Sequence, residues 1–377
     1  MFSFLAILLF ASLFAILGDY HQKIANAKRT SSGKKARSPR LITSPFDLIA
    51  AASLVAFSAM RFEVGTDYRT YLVIYTNLDT ANFIDSISTS PQDFGYTAFL
   101  LATKSITPFS YAGFWASAAF TVFPIYGALK RNSQIPSLSI VLFICLAYST
   151  AFNGVRQSMA AALLFWAWTC FRKRLLVFIL ISVLAGSIHA TALAAAVILL
   201  CTSRLKLTKR TTIAIGAVAA LGAITVDNLN ILKPILDQIN PRYGEYLSSG
   251  GTGIGSYMLI SAYAAILLYS ILFSARIWPL RNKDHQYAVP LAIGIGIMII
   301  GTQAVVLFRV SEYFTLFALL LLPNRISTSR GQFSTYAVTI SGAVGFYIMH
   351  LLFYGDVLPY DTYWMQWDLP ADYLTSW

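Results

Sequence analysis

The run LLVFILISVLAGSIHATALAAAVILLC, residues 175–201, decides the architecture of this chain. It is long enough to be one membrane-crossing helix, because about 20 apolar residues span the ~30 Å hydrocarbon layer. It also lies between two basic clusters, Arg172/Lys173/Arg174 and Arg204/Lys206/Lys209/Arg210. Short loops rich in Lys and Arg stay on the cytoplasmic side. A single crossing would put the two clusters on opposite sides. Two short half-crossings that turn near Ser187-Ile188-His189 keep both inside. The charge rule therefore predicts a short-helix hairpin with His189 at its tip. The alternative is one tilted helix with reversed topology beyond it.

The rest of the chain is of the same kind. It has 377 residues, 57% of them hydrophobic and 12% charged, with a mean hydropathy of +0.63. Soluble domains carry roughly 25% charged residues, so this chain has too little polar surface for a water-soluble fold. Further apolar segments run over Met1–Leu17, Phe46–Met60, Phe109–Leu129, Pro136–Phe152, Asn153–Phe171, Thr211–Val226, Tyr257–Ala275, Tyr287–Phe308, Val310–Pro323 and Phe333–Phe353. The expectation is an all-α polytopic integral membrane protein, one transmembrane domain over 1–377, with about 12 crossings including the hairpin. Segments too short to span alone suit helices that line an internal cavity. Positive charge follows the first apolar stretch rather than preceding it, so Met1–Leu17 reads as an uncleaved helix and not a signal peptide. Threading from there puts both termini on the outer side and makes 18–45 a basic cytoplasmic loop. Two outer loops follow. The first, 61–108, contains an amphipathic stretch, Phe94–Ile106, expected at the interface. The second, 227–256, ends in a Gly/Ser run that reads as a linker. Cys145, Cys170 and Cys201 sit in apolar runs and read as small buried hydrophobes.

The net charge of +12 would by itself suggest nucleic acid. Sorted by side, it becomes about +18 inside and about −6 outside. The inner excess orients the protein and meets anionic membrane lipids, and no nucleic-acid partner is expected. What topology does not explain is a set of outer-side arginines at helix ends or inside apolar sequence: Arg61, Arg156 and Arg309. Ionisable groups at membrane depth are costly and by default mark a functional site. The bland readings are snorkelling to the outer headgroups, or pairing of Arg309 with Glu312 three residues on. Three arginines on one leaflet favour a shared anionic ligand. Asn153 is expected to cap a helix and to put Arg156 and Gln157 in its first turn, where the free N–H groups and dipole also attract anions. The picture is an outward-facing cavity for a phosphate-bearing molecule from the membrane.

Five short elements then occur in a familiar order. Arg61-Phe-Glu-Val-Gly65-Thr66-Asp67-Tyr68-x-x-Tyr71 resembles the R-x-x-x-GTDY-x-x-Y segment of EpsG-type exopolysaccharide and O-antigen polymerases, the Wzy-like group. Asn153-Gly-Val-Arg156-Gln157-Ser-Met-Ala resembles that family's N-x-x-RQ-x-x-A helix start. Ser187-Ile-His189-Ala-Thr resembles its IH-x-[ST] element, Arg309-Val-Ser-Glu-Tyr313-Phe314 its late R-x-x-x-YF, and Leu358-Pro359-Tyr360 its LPY. The basic loop between the first two helices is unusually charged for the family. The resemblance implies a GT-C-like glycosyltransferase at the outer face of the bacterial inner membrane. It would join oligosaccharide repeat units carried on undecaprenyl diphosphate and release the lipid diphosphate.

Such a transfer needs neutralisation of the leaving diphosphate, a general base for the acceptor hydroxyl, and positioning of both sugars. Arg61, Arg156 and Arg309 are the diphosphate candidates. Asp67 is the first candidate base and His189 the second, although Asp67 could equally serve its turn and His189 could cap one. Arg69, Tyr68, Tyr71, Gln157 and Tyr313 are candidates for sugar contact or positioning, the tyrosines with an interface-belt role as the default. Glu63 is expected to pair with Arg61 or Arg69. No D-x-D, H-E-x-x-H or Cys/His cluster is present, so no metal and no cofactor is expected. A polysaccharide chain-length regulator is a candidate partner. Competing functions are a lipid-linked oligosaccharide flippase, against which the absence of internal repeats speaks, and an O-antigen ligase, which shares the chemistry but not the acceptor.

Overall fold

The computed structural model describes residues 1–32, 44–90, 92–107, 109–225, 253–272, 280, 283–328, 332–353 and 357–363. The first helix, α1 (Phe2–Ser31), runs well past the apolar stretch. The expected basic loop 18–45 therefore begins as helix, and its residues 33–43 lie outside the described part. Nothing between Asp19 and Ser31 stops a helix: there is no Gly or Pro, and Lys28 and Arg29 in the last turn suit the negative end of the dipole. Asp19 is also held in place from outside the helix, by Lys130 Nζ at 2.5 Å and by the backbone N–H of Ser137 at 2.9 Å.

Helix α2 (Pro45–Ala59) starts with proline in its first turn and with the Ser44 hydroxyl accepting from the N–H of Phe46. It packs on α1 and on α6 (Ala112–Asn132). Within this packing Lys130, 1% exposed, bridges Asp19 and Asp47, the latter at 2.9 Å. Tyr126 donates to Asp47 as well. A Cβ at Gly18 would lie 2.4 Å from Asp47 Oδ1, so only glycine leaves room for that carboxylate.

The chain leaves α2 through β1 (Arg61–Phe62), which pairs antiparallel with β2 (Asp361–Thr362) in the register Arg61↔Thr362. Tyr360 stacks on Phe57 and donates to its carbonyl, which fixes the Leu-Pro-Tyr segment against the end of α2. Between β1 and α6 lie α3 (Tyr68–Asn77), α4 (Phe83–Thr89) and α5 (Phe94–Ile106). The last has the bounds expected for the amphipathic stretch. Helix α7 (Pro136–Phe143) continues as a π turn, Ile144–Tyr148, and a 3₁₀ turn, Ser149–Phe152. Helix α8 (Val155–Phe171) follows.

The deciding segment is two helices, α9 (Leu175–Ile188) and α10 (Thr191–Thr202), broken at His189. The break has a local cause: His189 adopts extended backbone, φ −152° and ψ 112°, which no helix continues through. Helix α9 buries Phe178, Ser182 and Ala185 and exposes Leu176, Leu180, Val183 and Leu184. An apolar outer face of this kind is what a lipid-facing helix presents. Among the described residues, four helices are long and apolar enough to cross a membrane: Phe2–Ser31, Ala112–Asn132, Gly255–Leu272 and Phe333–Phe353. Further apolar helices are shorter. The protein is an all-α membrane protein.

Two compact units make up the chain, residues 1–193 with 340–377, and residues 194–339. The second contains helices Lys209–Thr225, Ile254–Leu272 and His285–Ile300, then a run of short helices from Val305 to Ile326. Arg325 pairs with buried Asp284 at 3.1 Å and donates to the carbonyl of Ser270. The expected outer loop 227–256 lies outside the described residues as far as position 252.

Candidate active site

The site is built in the first unit, on the turn that follows β1. Glu63 and Gly65 both have positive φ, 52° and 93°. Gly65 needs its glycine twice over. The left-handed backbone disfavours a side chain, and a Cβ would lie 2.6 Å from Asn153 Oδ1 and 2.8 Å from the Phe152 carbonyl. That close approach lets Asn153 Oδ1 accept from the N–H of Thr66 at 2.9 Å. Asn153 therefore does not cap α8, as its position suggested. Gly154 occupies that place without a side-chain bond, and the asparagine ties two distant motifs together instead. The expected register survives: Arg156 and Gln157 stand in the first turn of α8.

Arg156 Nη1 donates to Asp93 Oδ2 at 2.6 Å, and the Tyr71 side chain of α3 is near enough to act on the guanidinium electrostatically. His189 Nδ1 stands 3.5 Å from the same Asp93 oxygen. Asp93 occupies the N-cap position of α5, but its side chain makes no capping bond. Its carbonyl takes the N–H groups of Tyr96 and Thr97, so the carboxylate is left to face Arg156 and His189. Helix α5 reaches α9 because Gly95 has no side chain. A Cβ there would lie 2.2 Å from Ser187 Oγ and 2.7 Å from the Ser187 carbonyl carbon. Burial alone would raise the Asp93 carboxyl, but contact with His189 and the charge of Arg156 outweigh it and hold the pKa below the ordinary carboxylate value. The three side chains are 21–28% exposed, so the cluster opens to the surface of the protein.

Arg61 stands elsewhere. It is 2% exposed and lies between the rings of Phe114 and Phe152, at 4.8 and 4.9 Å. Its Nη1 donates to the carbonyl of Ser58 at 2.7 Å, and burial pulls its pKa down. This is a cation held by ring faces and a helix end, beside a cavity that Ser58, Phe114 and Tyr148 also line. Tyr68 is likewise interior, stacked on Phe114 at 4.9 Å, and so offers no free ring face to a sugar. Tyr71 is mostly buried beside Arg156, edge-on to Tyr96. Gln157 is buried one position beyond Arg156. Arg69 is exposed and pairs with Glu63, one of the two partners expected for that acid. Asp67 is half-buried at the head of α3, where its carboxylate accepts from the Thr66 hydroxyl at 3.3 Å.

The remaining two candidates belong to the second unit. Arg309 is exposed in the last turn of helix Val305–Val310, and Tyr313 is fully buried. Sequence reasoning missed Asp93. Its only signal was an aspartate just before an apolar helical run, which reads as an ordinary cap. Among the described residues, no three His, Cys, Asp or Glu side chains come together as a metal site would need.

Fold and site together define a class: an all-α membrane protein that gathers an arginine, a histidine and a carboxylate, all partly exposed, around a glycine-dependent turn. The model of the EpsG family matches residues 46–362, from the start of α2 to the end of β2, and the chain belongs to that family. No curated protein and no solved structure matches it. Membership carries a role of the polysaccharide-polymerase type and a place in a membrane.

Proposed function

We propose that this protein is a glycosyltransferase that polymerises undecaprenyl-diphosphate-linked oligosaccharide repeat units into exopolysaccharide or O-antigen. It would act at the outer face of the bacterial inner membrane. The observation that carries this reading is the meeting of Arg156 and His189 on one carboxylate. A cation for a leaving diphosphate and a base for a hydroxyl are what the transfer requires, and both are partly exposed. The sidedness of the charges is consistent with it. Arg156, Asp93 and His189 all fall in segments the charge rule puts outside, whereas Lys130, Asp19 and Asp47 fall in segments it puts inside.

In this mechanism the acceptor hydroxyl attacks the anomeric carbon of the donor sugar. His189 takes the hydroxyl proton, for which the usual contribution is about 10²–10⁴-fold. Arg156 neutralises the charge that develops on the diphosphate as its bond to the sugar breaks, and removing such a group typically costs about 10²–10³ in rate. His189 is preferred to Asp67 as the base because His189 is held beside Arg156, while Asp67 is engaged with Thr66 in its own turn. No metal takes part in this scheme.

The test is a deletion strain complemented with wild type, Arg156→Ala or His189→Ala, examined by gel for polymer, with membrane levels followed by immunoblot. The proposal expects a ladder for wild type and single repeat units for both variants at normal protein levels. Intact free polymer in the deletion strain would point to a ligase, and absence of outer-face repeat units to a flippase. Activity that is lost in EDTA and restored by a divalent ion would refute the metal-independent scheme.

A further inference from the structure

We infer that Asp93 is the positioning residue for this chemistry: it orients the His189 ring so that Nδ1 carries a proton and Nε2 is the base. The inference rests on the polymerase reading. Asp93 Oδ2 lies 2.6 Å from Arg156 Nη1 and 3.5 Å from His189 Nδ1, so one oxygen couples the two groups. The distance to the ring is long for a hydrogen bond, as catalytic contacts often are before substrate binds. Nδ1 is buried and has no closer partner. An acceptor facing one ring nitrogen selects the tautomer that donates to it, which leaves the opposite nitrogen free to accept a proton.

Everything around Asp93 serves this placement. Its backbone carbonyl does the work of the α5 start, so the side chain is not spent on capping. Gly95 lets α5 touch the residue two positions before the histidine. Arg156 keeps the carboxylate ionised and pins it, so that Asp93 presents a fixed negative charge to the ring. When the acceptor O–H proton moves to Nε2, the imidazolium forms beside that charge. The acceptor oxygen bonds to the anomeric carbon, and the electron pair of the old bond leaves on the diphosphate oxygen held at Arg156. The imidazolium then returns its proton to solvent, which the partial exposure of the ring permits.

A structural brace would behave differently, and a double-mutant cycle separates the two. Purified full-length wild type, Asp93→Asn, His189→Ala and the double variant are compared for kcat and KM with lipid-diphosphate-linked repeat units. Binding of farnesyl diphosphate is measured alongside, as a probe of the cationic group. The expected result for Asp93→Asn is a kcat about 10²–10⁴-fold lower, a KM within about threefold of wild type, and probe affinity equal to wild type or higher. In the His189→Ala background the same substitution should cost nothing further, because a residue acting through His189 has nothing left to act on. Additive losses, a raised KM with unchanged kcat, or weaker probe binding in Asp93→Asn would overturn the inference. Failure of the diphosphate reading shows separately, as wild-type probe affinity in Arg156→Ala. Should Asp93→Asn not fold, ¹⁵N NMR of the histidines in the wild-type protein decides. His189 is assigned with His189→Gln, and a resting ring protonated on Nε2 rather than Nδ1 refutes the assignment.

Discussion

Replacing Gly95 with alanine should disable the protein without removing any group that does chemistry. The added Cβ would lie 2.2 Å from Ser187 Oγ, 2.6 Å from Ser187 Cβ and 2.7 Å from the Ser187 carbonyl carbon. A hydroxyl can rotate away, but a backbone carbon in the last turn of α9 cannot. Restoring ordinary contact requires α5 and α9 to separate by about 0.7–1 Å, with an overpacking cost of about 1–3 kcal/mol. Asp93 lies two residues before the pivot and His189 two residues after Ser187, so the 3.5 Å between them should lengthen by a similar amount. A misplacement of about 1 Å costs on the order of 10²-fold in rate. Gly95→Ala should therefore leave amounts in the membrane near normal and cut polymer synthesis about 100-fold, measured with lipid-linked repeat units and purified enzyme. Adding Ser187→Gly removes the hydroxyl and Cβ clashes but not the backbone one, so it should recover only part of the loss. Wild-type rates in Gly95→Ala, or full recovery in the double variant, would refute the reasoning.

Other parts of the structure give sharp expectations. Lys130→Met strands Asp19 and Asp47 without their shared counter-charge, and breaking a buried pair costs about 3–5 kcal/mol; thermal unfolding in detergent should show a large loss that Asp47→Asn partly restores. Gly65→Ala combines a positive φ with a 2.6 Å approach to Asn153 Oδ1, so it should damage activity more than Asn153→Ala, whose lost hydrogen bond to Thr66 is worth about 1 kcal/mol; parallel rate measurements decide the order. Asp93 has its pKa lowered in the folded protein, so the stability it lends is complete above the ordinary carboxylate pKa and is lost as pH falls through the lowered value. Unfolding midpoints of wild type and Asp93→Asn should thus differ at neutral pH and converge in acid. A constant difference across that range would contradict the ionised pair.

Much of this was legible because it depends on patterns within one segment. The break in residues 175–201 follows from basic clusters flanking an apolar run, and the bounds of α5 follow from a local amphipathic stretch. Arg156 stands in the first helical turn as the Asn-Gly-Val-Arg spacing suggested, even though Asn153 turned out to face Thr66 rather than cap the helix. Arg61 shows the limit of such reading. An arginine next to a membrane helix looks the same in sequence whether it faces a headgroup or lies between Phe114 and Phe152, because the rings come from helices far along the chain. Asp93 was hidden for the same reason: its partners are 63 residues away at Arg156 and further still at His189.

Composition, charge asymmetry and short motifs by themselves determined an all-α membrane protein, its family and its helix break, since lipid solvation and backbone hydrogen bonding act on each segment separately. Tertiary structure alone decided which charges are buried and which meet one another. Burial between aromatic rings withdraws Arg61 from the surface. Two glycines, at 65 and 95, let backbones approach closely enough to set Asp93 between Arg156 and His189. Electrostatic work depends on distances of a few ångströms between groups remote in sequence, and only the packed chain sets those distances.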